Sequence, residues 1–175
     1  MIELVRHGDA HGRDRWWGKP DRDRPLTDAG HRQATSLARE LSSGGDIDAL
    51  YSSPFVRCVQ TLQPLADSLG WSVAYDDALA EATTLPVMDG GDAWVASAWL
   101  GGRAMAFLDR VVDAHPGDRI VACSHGDIIP AVMAVLAGRD ELTLADVRLA
   151  KGARFTLTFQ DGRCVHAVPK PAPNG

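Results

Sequence analysis

Ile2-Glu3-Leu4-Val5-Arg6-His7-Gly8 opens the chain with a short apolar run that passes into charge and then glycine. A run of this length, closed by a turn residue, reads as a buried strand. Far downstream, Ile120-Val121-Ala122-Cys123 repeats the design and runs into Ser124-His125-Gly126, with a helical pattern next. In an open α/β sheet the ligand sits beyond the carboxyl ends of the strands. His7 and His125 are therefore expected to meet in one crevice. A single strand-end histidine reads as a satisfied loop residue; two His-Gly pairs at two strand ends point to function. Each glycine is expected to give a tight turn and a close backbone approach to a ligand. The helix after Gly126 would aim free N–H groups at an anion.

The remaining pattern fits this frame. Gly8 to Arg24 lacks apolar periodicity and reads as a long loop. Thr27 or Asp28 caps a helix with Ala34, Leu37, Ala38 and Leu41 at i, i+3, i+4, i+7 spacing, ended by Gly44-Gly45. Ala49 to Ser52 is a second strand. Val56 to Leu69 is a helix stopped by Gly70, with a kink expected at Pro64. Val73 to Tyr75 is a short candidate strand. Residues 83 to 91 carry turn formers without a period. Ala93 to Ala114 is helical, with Gly101-Gly102 as a point where it can break in two. Ile128 to Leu136 is a helix that accepts Pro130 in its first turn and ends at Gly138. Arg154 to Phe159 alternates, and Asp161-Gly162 signals a two-residue hairpin into Cys164 to Val168. The tail, residues 169 to 175, is Pro-rich and expected to fray. Strands alternating with helices, then a hairpin, imply a three-layer α/β sandwich, a mainly parallel central sheet with helices on both faces. With 175 residues and no repeat or linker, a single domain over 1–175 is expected.

At 45% hydrophobic and 23% charged, the composition excludes a disordered or fibrous chain. No apolar stretch reaches the roughly 20 residues of a membrane span, and the opening run is too short for a signal peptide. Cys58, Cys123 and Cys164 lie far apart without a CxxC pair. That argues against a disulfide framework or thiolate zinc site, and a cytoplasmic location is expected. A net charge of −5 disfavours nucleic acid as a partner. The charge is uneven: residues 6 to 39 hold eight Arg or Lys against five Asp, so the remainder carries −8. Arg13, Arg15, Lys19, Arg22 and Arg24 crowd one segment. It is either a solvated loop of mixed charge or a positive rim that attracts a small anion. The sequence is silent on oligomeric state.

A third piece is Tyr51-Ser52-Ser53-Pro54-Phe55-Val56-Arg57, a strand ending in small polar residues with an arginine at the start of the next helix. Guanidinium is planar, permanently charged and bidentate, which suits phosphate. Its charge there opposes the helix dipole, which weighs against a merely structural role.

Leu4-Val5-Arg6-His7-Gly8 resembles the signature of the histidine phosphatase superfamily, the phosphoglycerate-mutase-like fold. The likeness continues through Arg24-Pro25-Leu26-Thr27-Asp28-Ala29-Gly30 and Gln33-Ala34, resumes at Tyr51-Ser52-Ser53-Pro54, Arg57 and Gln60-Thr61, and again at Ser124-His125-Gly126. These motifs stand in the family's order over most of the chain. Gly12-Arg13-x-x-Trp16 further resembles a short branch that includes phosphohistidine phosphatases and phosphatase domains attached to Nudix hydrolases.

The resemblance implies a phosphatase in which His7 is the nucleophile and becomes phosphorylated. Neutral imidazole is a competent nucleophile, and Arg6, Arg57 and a protonated His125 disfavour its charged form. Arg6, Arg57 and His125 are expected to hold the phosphoryl oxygens, so that no metal or cofactor is needed. The family often places its acid after a Leu-x-Glu pattern; Leu79-Ala80-Glu81 makes Glu81 the general acid, later the base that activates water. Asp9 is the backup, and Asp127 is expected to orient backbone or His125. Gly8, Arg13, Trp16, Ser124 and Gly126 are expected to line the substrate, with Trp16 and Trp17 either facing the pocket or anchoring their loop. Many relatives carry Asn where Arg13 stands, and the residues after Glu81 lack the Gly-rich, aromatic continuation of larger members. The chain is short for a mutase and leaves little for a closed cap, which favours a hydrolase of phosphomonoesters or phosphoramidates. The expected partner is a phosphorylated small molecule or a phosphohistidine protein.

Other classes leave weaker marks. A metal-dependent phosphoesterase would draw on His7-x-Asp9-x-His11, His125 and Asp127. A noncatalytic phospho-ligand binding domain would have lost His7, His125 or an anchoring arginine. A serine hydrolase lacks its G-x-S-x-G elbow around Ser124, and no G-x-G-x-x-G follows the first strand for a dinucleotide.

Overall fold

In the computed structural model, which describes residues 1–81 and 93–173, the opening apolar run is strand β1 (Ile2–Arg6). Helix α1 (Asp28–Ser43) follows, then β2 (Ala49–Ser52), α2 (Val56–Leu69), β3 (Ala74–Tyr75), α3 (Ala93–Ala114), β4 (Ile120–Ser124), α4 (Ile128–Asp140), β5 (Arg154–Gln160) and β6 (Arg163–Lys170). The sheet order is β3-β2-β4-β1-β5-β6. β3, β2, β4 and β1 pair in parallel, while β5 runs antiparallel between β1 and β6. The expected segment at 83–91 lies outside the described residues.

The strand alternation sorts the core into two layers. Ile2, Leu4, Ile120 and Ala122 pack against α3 and α4 through Leu100, Phe107, Ile129 and Val132. Val5, Val121 and Cys123 face the other way, onto Leu37 and Leu41 of α1 and Leu62 and Leu65 of α2. Helices thus cover both faces, as the pattern implied.

α1 starts where Thr27 Oγ1 accepts the Gly30 N–H at 3.1 Å, a side-chain cap. Its predicted apolar stripe is the buried one. α2 runs as one element through Pro64 and ends at Gly70, which takes φ 68°.

Three boundaries differ from the sequence reading. α3 runs unbroken through Gly101-Gly102. A Cβ at Gly101 would stand 2.8 Å from the Ala131 carbonyl oxygen, so this glycine lets α3 press against α4 rather than breaking the helix. α4 passes Gly138 and stops at Glu141, whose φ of 59° closes it. β6 continues past Val168: Pro169 pairs with Phe155 and Lys170 with Arg154, so the expected fray begins later. β6 is a sheet edge, where a missing proline N–H breaks no ladder. The hairpin turn is as read, with Asp161 and Gly162 at φ 49° and 76°.

Under α1, the middle of β1 carries a buried charge. Glu3 binds Arg119 at 3.2 Å, Arg154 at 3.0 Å and the Thr156 hydroxyl at 2.8 Å. Arg154 also pairs with Glu40 at 2.6 Å.

Candidate active site

Parallel pairing aligns the strand ends. Arg6 of β1 stands opposite Ser124 of β4, and Ser52 of β2 opposite Cys123. One residue further along, His7 N–H donates to the Ser124 carbonyl at 3.0 Å and Ser53 N–H to the Cys123 carbonyl at 3.0 Å. These bonds carry three loops out of the sheet side by side. His7 and His125 meet as expected, ring centroids 5.3 Å apart in an edge-on arrangement.

His7 Nδ1 lies 2.8 Å from the Gly8 carbonyl oxygen. A carbonyl only accepts, so Nδ1 carries the proton and Nε2 keeps its lone pair. Burial lowers the pKa of His7 to about 3, and His125, Arg57 and Arg6 add to the effect by repulsion. The ring is neutral wherever the protein is folded near neutrality.

His125 is the opposite case. Its Nε2 meets Ser53 Oγ at 2.8 Å and its Nδ1 faces Glu81 Oε1 at 3.3 Å. Burial would lower its pKa, but the Cys58 sulfur and the Glu81 carboxylate outweigh it and raise it to about 9. His125 is therefore an imidazolium with donors on both sides of the ring.

Arg57, wholly buried in the first turn of α2, is aimed by an acid the sequence reading did not single out. Its Nη1 donates to the Asp21 carbonyl at 2.8 Å and its Nη2 lies 3.1 Å from Asp21 Oδ2. Asp21 also takes Arg24 at 2.8 Å and Arg13 at 3.2 Å. It sits in a short 3-10 turn (Asp21–Asp23) within a stretch of alternating charges, where no spacing marks it. Nε and Nη2 of Arg57 and Nε of Arg6 are buried without a well-aligned hydrogen bond among the described residues.

Glu81 joins the cluster from the turn after Asp77–Leu79. Its Oε2 lies 2.9 Å from Arg57 and 3.0 Å from Arg13. Burial opposes its charge, but the hydrogen bond from His125 and the charges of His125, Arg57 and Arg13 hold the carboxyl well below the usual carboxylate range. Ser124 Oγ donates to the Leu79 carbonyl at 2.7 Å, so its hydroxyl fixes the turn that delivers Glu81 instead of facing a substrate.

The remaining expected residues divide. Neither Gly8 nor Gly126 has a positive φ, so neither serves as a left-handed turn. Gly126 is instead a platform: a Cβ there would lie 2.6 Å from Cζ of Arg6, whose guanidinium crosses it. Gly8 N–H donates to Thr61 Oγ1 at 3.0 Å. Trp16 spends its indole N–H on the Pro20 carbonyl and stacks under Lys19, which makes it an anchor of the loop, while Trp17 is 89% exposed. Asp9 is engaged by Lys151 at 2.6 Å and Thr27 at 2.7 Å, away from a proton-donor role. Asp127 caps the Ile128 N–H of α4.

The ligand set of a metal reading through Asp9, His11 and Asp127 is therefore dispersed. His7, Glu81 and His125 do present ligand-type atoms within 4.8 Å of one another. The arginines and the imidazolium around them suit an anion rather than a cation. A separate cavity of about 380 Å³ opens at the other end of the sheet between Met1, Ile120, His115 and Phe159. Its histidine is spent on Asp118 at 3.1 Å and Tyr51 at 3.0 Å. Among the described residues, no helix is long and apolar enough to cross a membrane.

The histidine phosphatase superfamily (branch 1) matches residues 2–89 and 97–168, and the chain belongs to that family. Over 168 residues it is 30% identical to the 8-oxo-(d)GTP phosphatase of Mycolicibacterium smegmatis, covering 95% of this chain and 46% of that protein; the chain thus spans about half of that relative. The probable phosphoglycerate mutase GpmB of Yersinia enterocolitica is 28% identical, covering 92% of this chain and 86% of that protein. Among solved structures, Bacillus stearothermophilus YhfR superposes with a TM-score of 0.78 at 17% identity, over 99% of this chain and 97% of that one. The protein histidine phosphatase SixA, complexed with tungstate, gives 0.63 at 23% identity, over 97% and 93%. At these identities the structures share the fold.

Proposed function

We propose that the protein hydrolyses a phosphomonoester or phosphoramidate through a phosphohistidine on His7, without a metal. The observation that carries this is the tautomer of His7. Its Nδ1–H is tied to Gly8, which leaves a neutral, nucleophilic Nε2 inside a cluster of fixed cations. Nε2 attacks phosphorus, the N–P bond forms, and the bond from phosphorus to the leaving oxygen or nitrogen breaks. Arg6, Arg57 and the His125 imidazolium hold the phosphoryl oxygens, which is where such a transition state gathers charge. They supply the positive charge a metal would otherwise bring. Glu81 takes up a proton from solvent as the substrate displaces it, gives that proton to the leaving atom, then takes one from the water that cleaves the phosphohistidine.

The substrate class is a phosphorylated small molecule or a phosphohistidine protein, acted on in the cytoplasm, where Cys58, Cys123 and Cys164, none of them in a disulfide, would stay reduced. The 8-oxo-(d)GTP phosphatase relative favours a small phosphorylated molecule. Hydrolysis of p-nitrophenyl phosphate in the presence of a strong chelator tests the reading. Activity that survives chelation and vanishes in His7→Ala supports it; activity abolished by chelator overturns the metal-free mechanism.

A further inference from the structure

A general acid must hold a proton, yet Glu81 is ionised and sits where a phosphoryl group would go. One of its oxygens bridges Arg57 and Arg13, the other faces His125 at 3.3 Å, and a carboxylate oxygen lies within 4.8 Å of a His7 ring nitrogen. Phosphoryl oxygens that reached Arg57 and His125 would fall on the same positions. Arg57 is wholly buried and tied to Asp21, and His125 is wholly buried and tied to Ser53. Neither can follow the carboxylate outward. Arg13 can: its side chain is 71% exposed, and its Nε is held at 3.2 Å by Asp21 while Nη2 holds Glu81.

We propose that Arg13 is the positioning residue of Glu81: the carboxylate occupies the oxyanion cradle, an incoming phosphoryl group displaces it, and it stays on Arg13 at the mouth. In-line attack puts the leaving group opposite His7, toward that mouth, so the displaced carboxylate meets the atom that needs a proton. Once Arg57 and His125 have turned to the phosphoryl oxygens, two of the contacts that kept Glu81 ionised are gone and a dianion lies beside it, so the carboxylate takes up a proton from solvent and passes it to the leaving atom. The proposal rests on the phosphatase reading above. It gives Arg13 a different part from the substrate contact expected from the sequence.

Sulfate tests it, because it is a tetrahedral dianion and its binding needs no turnover. Isothermal titration at neutral pH would use wild type, Glu81→Gln, Arg13→Ala and the double variant, each shown folded by its melting curve. Glu81→Gln is expected to bind sulfate about tenfold more tightly, since a neutral amide competes poorly for arginine. Arg13→Ala is expected to weaken binding roughly threefold to tenfold in the wild-type background and to do nothing in the Glu81→Gln background, the mark of a residue that acts through another. Arg13→Lys should recover part of the loss. Equal weakening in both backgrounds would mean that Arg13 grips the anion itself, and weaker or unchanged binding by Glu81→Gln would mean that Glu81 does not compete; either overturns the proposal. Sulfate ignored by folded wild type would overturn the phosphoryl site itself, and the proposal with it.

Discussion

The sheet holds two buried clusters of charge, and they are built to different ends. Under α1, Arg119 and Arg154 face Glu3 and Glu40, so positive and negative groups match. At the carboxyl end of β1 and β4, Arg57, Arg13, Arg24 and the imidazolium of His125 face Asp21 and Glu81, Arg6 adds its charge beside His7, and cations are in excess. Among the described residues both clusters leave guanidinium nitrogens without a hydrogen bond, Arg119 Nε and Arg154 Nη1 in the first, Arg6 Nε and Arg57 Nε in the second. An orphan donor therefore does not mark a site by itself. Charge balance separates the two: the first cluster matches charge for charge, and the second keeps an excess of positive charge that suits an anionic substrate.

That contrast predicts opposite phenotypes. His7→Ala should lower kcat by at least about 10⁴-fold, as loss of a nucleophile does, while shifting stability by no more than about 1 kcal/mol. Activity assays and melting curves on the same preparation read both. Glu3→Gln should do the reverse, costing roughly 3 kcal/mol because it leaves Arg119 and Arg154 without their buried partner, with kcat unchanged. If Glu3→Gln cut activity while leaving the denaturant midpoint in place, the division between the clusters would collapse. Gly126→Ala should push the Arg6 guanidinium off its platform and lower kcat on the order of tenfold, a displacement cost, with little loss of stability.

A smaller effect comes from pH. His125 has its pKa raised from 6.5 to about 9, so its charged form is favoured in the folded state. Its contribution to stability is fully present below pH 6.5 and is lost as pH rises through 9. Activity should fall along the same limb as the phosphoryl oxygens lose an imidazolium donor. His7, lowered to about 3, should set no limb in the neutral range. A kcat/KM profile for p-nitrophenyl phosphate that bent near pH 6.5 would contradict both assignments.

The sandwich was legible because periodicity is local: the apolar runs at Ile2–Val5 and Ile120–Cys123 and the stripe Ala34, Leu37, Ala38 and Leu41 each report their own burial. The meeting of His7 and His125 was legible because the rule for strand ends is topological. What escaped was set by partners distant in sequence. Glu3 lay inside a run read as apolar, and its arginines stand more than a hundred residues away. Asp21 looked like one more charge in a mixed loop until Arg57 was brought to it from another element. Gly101 reads as a helix breaker in one dimension and as a helix contact in three. Ser124 belongs to the motif, yet its hydroxyl faces the Leu79 turn.

Phosphoryl transfer to His7 Nε2 is the central step of the mechanism, and trapping that intermediate tests it most directly. Wild-type protein quenched during turnover of p-nitrophenyl phosphate, digested under alkaline conditions and examined by mass spectrometry should carry one acid-labile phosphoryl group on His7. A quenched enzyme that turned over substrate with His7 unmodified, or with the phosphoryl group on another residue, would contradict it.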